Sequence, residues 1–227
     1  AYIRKEYAPY RPNTTFIAYG AETVPSKLAQ DDQELLAWYA KNGVQAQGYY
    51  LVVGRFVPEN NYETMLREFV KSDTKKAFVL ITDVNDSFLD TLKQRTGFDK
   101  DSRIRFAGTV YHKELLKKIR ENAYGSFHGH EVGGTNPSLL EALAATKLNL
   151  LLDVGFNREV AADSALYWKK EEGNLTALIH KADAMSCAQI DALGKSARER
   201  MANYYSWEFI TGRYEQIFSK RSETCVE

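Results

Sequence analysis

The sequence predicts an α/β protein, with a Rossmann-like parallel sheet of about six strands and helices on both faces. Three observations support this. Short segments are continuously apolar, which is typical of strands buried on both faces of a parallel sheet. Between them lie segments with apolar residues on a helical period, as expected of repeated βα units. The chain has 227 residues, 44% of them hydrophobic, which is enough for a packed core.

The residues before the sheet are predicted to belong to another unit. Residues 2–8 have a helical pattern and 14–20 predict a short β-rich strand that ends at a glycine. A loop containing Pro25 and a helix at 33–41 follow. We expect residues 1–20 to be the end of an N-terminal domain and a linker. Because the chain begins without methionine, we also expect it to be an excised piece.

The first βα unit begins at Gly48. Residues 48–55 are Gly-Tyr-Tyr-Leu-Val-Val-Gly-Arg and predict a buried strand running into a loop. Residues 62–71 carry apolar side chains such as Met65 and Phe69 at helical spacing and predict a helix.

The alternation then continues along the chain. Right-handed crossovers join such units into a layered sandwich. Further strands are predicted at 76–82, 104–108, 124–127, 148–153 and 165–168, helices at 87–96, 113–121 and 137–146, a loop around 156–158, and mostly helix from 174 to about 220. The predicted domain therefore covers 21–220, and 221–227 are a C-terminal tail.

Composition excludes several classes of function. Thirty basic residues balance thirty acidic ones, so no overall charge favours a nucleic acid partner. Apolar runs are too short to span a bilayer, and no signal segment begins the chain, so we expect a cytoplasmic protein. Cys187 and Cys225 lie far apart and without metal-ligand spacing, which leaves no predicted zinc site or disulfide framework.

The most informative stretch runs from His128 to Glu141 and joins a glycine loop to a helix. Asn136 is the predicted N-cap and Pro137 the first helical residue, so the free N–H groups of residues 134–136 could face an anion. Glu141, one turn in, could accept hydrogen bonds from neutral hydroxyls. An ordinary loop and capped helix would explain the same pattern. Three other loops, at 54–55, 82–83 and 108–110, also follow strand ends, where parallel sheets gather ligands.

This stretch resembles the donor-binding motif of retaining glycosyltransferases of family 4, which have the two-domain GT-B architecture. The string of residues 128–143 resembles a bacterial rhamnosyltransferase branch of that family. In the family, two glutamates flank seven residues. Glu141 matches the second and implies contact with the ribose hydroxyls. Gly133 stands at the first, and Glu131 lies two positions earlier, from where it could contact the sugar.

The resemblance extends to the loop after the first strand. Gly54-Arg55 resembles the family's phosphate loop, and Asn60 stands where a lysine is usual. A guanidinium could grip the diphosphate and stabilise leaving-group charge, and His128 could contact phosphate or sugar. The residues predicted to bind the donor are Gly54, Arg55, Asn60, Thr82, Val110, Gly133, Gly134, Thr135, Asn136 and Glu141, and the predicted catalytic residues are Arg55 and His128.

The resemblance implies the C-terminal, donor-binding half of a rhamnosyltransferase that uses dTDP-L-rhamnose without an obligatory metal or other cofactor. The acceptor would be a polysaccharide or a lipid-linked saccharide, met at the inner face of the membrane and held mainly by the missing N-terminal domain. Two alternatives stay open: another donor such as UDP-glucose, and a catalytically silent Rossmann-like module, which Gly133 and Asn60 favour. The absence of Gly-x-Gly-x-x-Gly argues against a dinucleotide oxidoreductase.

Overall fold

The structure, a computed structural model, describes residues 2–84 and 86–223. The strands are β1 Tyr49–Val53, β2 Ala77–Ile81, β3 Ile104–Phe106, β4 Gly125–His128, β5 Asn149–Leu152 and β6 Leu166–Trp168. The α-helices are α1 Tyr2–Glu6, α2 Gln33–Asn42, α3 Tyr62–Lys71, α4 Asp86–Thr96, α5 Lys113–Asn122, α6 Pro137–Ala145, α7 Gly155–Ala161, α8 Asn174–Asp183, α9 Cys187–Tyr204 and α10 Trp207–Glu223.

All six strands pair in parallel, in the order β3-β2-β1-β4-β5-β6. This is the doubly wound order of the Rossmann fold, so the predicted fold class is confirmed. The pairing of β1 with β4 begins at Tyr50 and Gly125. A Cβ on Gly125 would lie 3.0 Å from the Tyr50 ring, so a glycine there lets the two central strands approach.

Neighbouring side chains of β1 point to opposite layers. Tyr50 and Val52 join the hydrophobic cluster that includes residues of α3, α4 and α8, whereas Tyr49 and Leu51 join the cluster built on α2 and α5. A third cluster joins β5 to α6 and α9. The two tyrosines are fully buried. The Tyr49 hydroxyl donates to the carbonyl of Ile119 and the Tyr50 hydroxyl to Asp183, both at 2.6 Å. The sheet is therefore covered on both faces.

Two local predictions were wrong. Residues 14–20 form no strand; the extended segment makes a single bridge, between Ala21 and Ser206, because no sheet strand lies beside it among the described residues. The predicted loop at 156–158 is inside helix α7, which Val160 and Ala161 anchor in the core.

The last helix extends beyond the predicted C-terminal boundary of the domain. Helix α10 crosses the predicted start of the tail and continues to Glu223, whereas residues 224–227, including Cys225, lie outside the described part of the chain.

In residues 2–84 and 86–223, no helix combines the length and the apolar character needed to span a bilayer.

Candidate functional site

The strand order places the candidate site between β1 and β4. From β1 the sheet grows outward in one direction through β2 and β3, and from β4 it grows in the other through β5 and β6. The connections diverge at this switch point, which opens a crevice at the carboxyl ends of the two strands. The loops that follow Val53 and His128 meet there.

The loop after β1 leaves one arginine side chain free. Arg55 is exposed, and within the described residues its guanidinium forms no hydrogen bond or ion pair. The backbone beneath it is fixed, since Asn60 donates from Nδ2 to the carbonyl of Arg55 at 2.7 Å and Tyr62 donates to the carbonyl of Gly54 at 3.2 Å. Asn60, at the usual lysine position, is buried and supports the loop. Arg55 alone projects a positive charge from it.

The loops after β1 and β4 are tightly joined. Asn61 donates from Nδ2 to the carbonyl of Gly129 at 2.8 Å, and the amide of Glu131 donates to the carbonyl of Glu59 at 3.2 Å. A Cβ on Gly129 would lie 2.3 Å from the carbonyl oxygen of Asn60. Only glycine allows this approach of the two backbones, which fixes the width of the crevice.

Two histidines leave the end of β4 with their rings stacked. The ring centroids of His128 and His130 lie 4.4 Å apart and the planes differ by 9°. Burial, then the neighbouring His130 and Arg120, hold the pKa of His128 well below its usual range. Burial and the charge of Arg55 lower the pKa of His130 to about 4. Both rings are therefore neutral at pH 7, and they offer hydrogen bonds rather than charge.

Two buried polar atoms on the β4 side of the crevice lack a partner among the described residues. His128 Nε2 and Asn157 Oδ1 form no hydrogen bond to any described residue. Asn157, which is not among the predicted site residues, donates from Nδ2 to the carbonyls of Leu152 at 2.9 Å and His130 at 3.4 Å. Buried polar groups are normally paired, so these two atoms need a water or a ligand group.

The glycine loop leads into helix α6 as predicted. Gly133 has a φ of +126°, which favours glycine. Asn136 caps the helix, its Oδ1 accepting from the amides of Ser138 at 2.9 Å and Leu139 at 3.3 Å, and Pro137 is the first helical residue. The amides of residues 134–136 donate to no group in the described chain and lie at the positive end of α6.

Glu141 is bound to a residue that the sequence did not single out. It forms an ion pair from Oε2 with Nη1 of Arg120, on α5. The other arm of this guanidinium donates to Ser138 Oγ at 3.2 Å, and Ser138 in turn donates to the carbonyl of Val53 at 2.8 Å. The carboxylate is thereby coupled to the end of β1, one residue before the Gly54-Arg55 loop.

Glu131, considered as a shifted sugar contact, is also paired. It is exposed and forms an ion pair with Lys170, and it accepts from Asn61 Nδ2 at 3.1 Å. The hydrogen bond from Lys170 and then that from Asn61 lower its pKa. Glu131 thus holds the start of the glycine loop.

Two further residues predicted to bind the donor, Thr82 and Val110, lie at the ends of the neighbouring strands. Thr82 follows β2 directly and is buried. Val110 lies in the loop after β3, half-buried and packed against the cluster that contains Leu115 and Ile119. Both stand at the carboxyl edge of the sheet, on the β2–β3 side of the crevice.

A cavity of about 650 Å³ lies beside the crevice, between the extended residues 19–25 and helices α5 and α6. Glu141 and Arg120 line it, whereas the other predicted donor residues lie outside it, around the open crevice. Its volume falls within the range of small-molecule sites. Of the predicted donor residues, Glu141 is thus the one that lines this cavity. Over the described residues, no group of three or more His, Cys, Asp or Glu could hold a metal ion.

No protein-family model and no curated protein matches this chain. Solved structures match its fold. A glycosyltransferase from Rickettsia africae superposes with a TM-score of 0.77 at 13% identity, over 90% of this chain and 56% of that one. Sucrose-phosphate synthase from Thermosynechococcus elongatus gives 0.75 at 18%, over 98% and 56%. Anabaena HepE, in complex with UDP and glucose, gives 0.70 at 14%, over 84% and 53%.

This chain thus spans about half the length of the solved structures that it matches. Its fold is that of the C-terminal domain of a GT-B glycosyltransferase.

Proposed function

We propose that this chain is the donor-binding half of a glycosyltransferase and holds a nucleoside-diphosphate sugar at the β1–β4 switch point. One observation carries the proposal. Three groups suited to such a donor lie on the two segments that the Ser138–Val53 hydrogen bond joins there: the free guanidinium of Arg55 after β1, the free amides at the start of α6, and the half-exposed carboxylate of Glu141 on α6. The first two bind phosphate oxygens, and the third accepts from sugar hydroxyls.

The geometry suggests how these residues would promote transfer. Cleavage of the sugar–phosphate bond leaves negative charge on the diphosphate, which Arg55 and the amides of Gly134, Thr135 and Asn136 would stabilise. His130 is neutral, so it would contribute a hydrogen bond rather than charge to this step. His128, buried beneath His130, would orient that ring through the stack. No residue in this scheme requires a metal.

The donor that we propose is dTDP-L-rhamnose, on the resemblance of residues 128–143 to rhamnosyltransferases. UDP-glucose is the second candidate, favoured by the solved structure of HepE with UDP and glucose. The acceptor, a polysaccharide or lipid-linked saccharide, would be met in the cytoplasm at the inner face of the membrane. Most of its contacts would come from an N-terminal domain, so we expect this chain alone to bind donor without appreciable turnover.

Calorimetric titration with dTDP, dTDP-L-rhamnose, UDP and UDP-glucose tests the proposal. We expect saturable binding that is unchanged by a chelator and tighter for the dTDP ligands. Arg55→Ala should weaken binding about tenfold or more, because charge-assisted bonds to phosphate are lost. Arg95→Ala is the matched control, since Arg95 is also exposed but pairs with Glu63 on a different surface.

The possible outcomes separate the alternatives. Tighter binding of UDP-glucose than of the dTDP ligands would make UDP-glucose the donor and leave the proposed site unchanged. Equal binding by wild type and Arg55→Ala would show that the nucleotide does not bind at the β1 loop. If neither this chain nor the full-length protein bound any of the four ligands, the silent-module hypothesis would stand.

A further inference from the structure

A second groove, of about 740 Å³, lies at the amino edge of the sheet, opposite the crevice of the proposed donor site. It runs beside the residues that precede the first three strands: Gly48 before β1, Lys76 before β2 and Arg103 before β3. Strand β1 has five residues, so roughly 16 Å of sheet separates the two edges. The groove is therefore distinct from the donor site and shares no residue with it.

Every ionisable side chain that lines this groove is a cation. The four are Lys75, Lys76, Arg103 and Arg105, and no acidic residue is found among the described residues of the lining. The whole chain has thirty basic and thirty acidic residues, so this lining of a single sign departs from the average of the protein. A groove lined by one sign of charge concentrates ions of the opposite sign.

Two of these cations are neutralised and fix the walls of the groove. Arg103 pairs with Asp101 at 2.6 Å and donates to the carbonyl of Thr74 at 2.7 Å. The bond to Thr74 ties the turn before β2 to the start of β3. Lys76 pairs with Asp183 at 3.1 Å. These two side chains therefore shape the groove, and its net positive charge comes from the other two.

The other two cations have no carboxylate partner. Lys75 is exposed and, within the described chain, forms no hydrogen bond or ion pair. Arg105 is half-buried and donates only from Nη1, to the carbonyls of Ser102 and Ile104. Its Nε and Nη2 bond to no described residue, and they form an edge of the guanidinium that can hold two phosphate oxygens in parallel. The amides of Gln45 and Ser102, also in the lining, donate to no described group.

We propose that this groove is an anion site that binds a phosphate group through Lys75 and Arg105, with the amides of Gln45 and Ser102 as further donors. The chemistry fits the headgroup of an anionic lipid or a free phosphate compound, since both present phosphate oxygens. The inference goes beyond the proposed function, because this site lies at the other edge of the sheet and stays accessible while a donor occupies the crevice.

Nuclear magnetic resonance of the isotope-labelled chain tests the site, because it reads the two edges of the sheet separately. Titration with inorganic pyrophosphate should give saturable shifts in the amides of Gln45 and Ser102, besides any shifts at residues 134–136 of the donor site. Arg105→Gln should weaken binding at the groove about tenfold, and Lys75→Gln severalfold, because charge-assisted bonds to phosphate are lost. Arg105→Lys keeps the charge without the fork and should fall between wild type and Arg105→Gln.

The matched control removes two positive charges outside the groove. Lys93 on α4 pairs with Asp90 at 3.0 Å, and Lys195 on α9 pairs with Glu199 at 3.8 Å. The double variant Lys93→Gln/Lys195→Gln has the same net charge as Lys75→Gln/Arg105→Gln and should bind like wild type. Equal weakening in both double variants would show a general effect of charge and overturn the inference.

Cosedimentation with vesicles separates the two sources of the phosphate group. Retention on phosphatidylcholine vesicles that contain phosphatidylglycerol, lost in Lys75→Gln/Arg105→Gln and absent with phosphatidylcholine alone, would assign the site to a lipid headgroup. Shifts with pyrophosphate in the groove but no retention on vesicles would assign it to a free phosphate compound. If neither occurred, the inference would be wrong, whether or not pyrophosphate shifted the amides of the donor site. Failure of the donor site to bind nucleotide would leave it standing.

Discussion

The Arg120–Glu141 pair is unequal in burial, and its two members should contribute unequally to stability. The arginine side chain is 5% exposed and the glutamate side chain 46%. Glu141→Ala leaves a buried guanidinium without its carboxylate. Such a loss costs 3–5 kcal/mol in a fully buried pair, and about 2 kcal/mol here because solvent screens the glutamate. Arg120→Met leaves a carboxylate that water reaches, and should cost about 1 kcal/mol or less.

Urea unfolding of both variants at pH 7 measures this difference. A larger loss in Arg120→Met than in Glu141→Ala would show that the guanidinium contributes mainly by packing.

The stacked histidines predict a dependence of stability on pH. In the folded chain the pKa of His130 is about 4 and that of His128 is well below its usual 6.5. Between pH 6.5 and 4 the unfolded chain therefore binds more protons, and the free energy of unfolding falls as the pH drops through this window. We expect the loss to be visible between pH 7 and 5.5, where carboxylates remain ionised.

Substitution of His128 by Gln removes one of the two titrating rings. The variant should lose less of its free energy of unfolding between pH 7 and 5.5 than wild type does, whatever its stability at pH 7. Urea unfolding at both pH values measures this. An unchanged slope in both His128→Gln and His130→Gln would mean that the pair is not held neutral by the fold.

For individual residues, the sequence predicted correctly those features that depend on neighbouring positions in the chain. The cap by Asn136 follows from its own position relative to Pro137, and both are seen. The pairing of Glu141 with Arg120 depends on how α5 packs against α6, and no spacing in the sequence encodes it. For the same reason Asn60, predicted as a donor contact from its position alone, is found buried under the β1 loop.

At the level of elements, the approach of the β1 and β4 loops depends on one glycine. In Gly129→Ala the new Cβ would meet the carbonyl oxygen of Asn60 at 2.3 Å, a backbone atom that cannot rotate away. We expect a loss of about 2 kcal/mol in the free energy of unfolding, within the range for overpacking. The Asn60 turn would also move, and with it Arg55, so binding of nucleoside diphosphate should weaken.

Gly155→Ala is the matched control. It begins α7, and an added Cβ meets nothing within 4 Å. Its free energy of unfolding should stay within about 0.5 kcal/mol of wild type. Denaturant unfolding and nucleotide titration of both variants check the prediction, which an equal stability of the two would contradict.

The elements also show where sequence patterns suffice. Strands buried on both faces have continuous apolar runs, and all six were predicted near their observed bounds. Residues 14–20 have a similar composition but form no strand, since a strand requires a neighbour that only the tertiary structure provides. Helix α7 has seven residues, too few to show a helical period.

At the scale of the whole molecule, the proposed site lies along the carboxyl edge of the sheet, which the proposed donor groups line. The chain spans about half the length of the solved structures that it matches. Its formal net charge is zero, so attraction of an anionic donor depends on where individual charges lie. Arg55 and the start of α6 supply positive charge at that edge. Beside it, the charges of Lys170 and Glu131 neutralise each other in an ion pair.

Binding of nucleotide should therefore stabilise the whole domain, because the ligand joins elements on both sides of the switch point. At a ligand concentration of 100 times Kd, the free energy of unfolding should rise by about 2.7 kcal/mol. For a chain of this size that corresponds to an increase in Tm of roughly 5–10 °C. At the same dTDP concentration, Arg55→Ala with a tenfold weaker Kd should gain only about 1.4 kcal/mol. Arg95→Ala should match wild type, with or without a chelator. Thermal unfolding monitored by circular dichroism measures all of these, and an identical rise in Tm for Arg55→Ala would place the nucleotide away from the β1 loop.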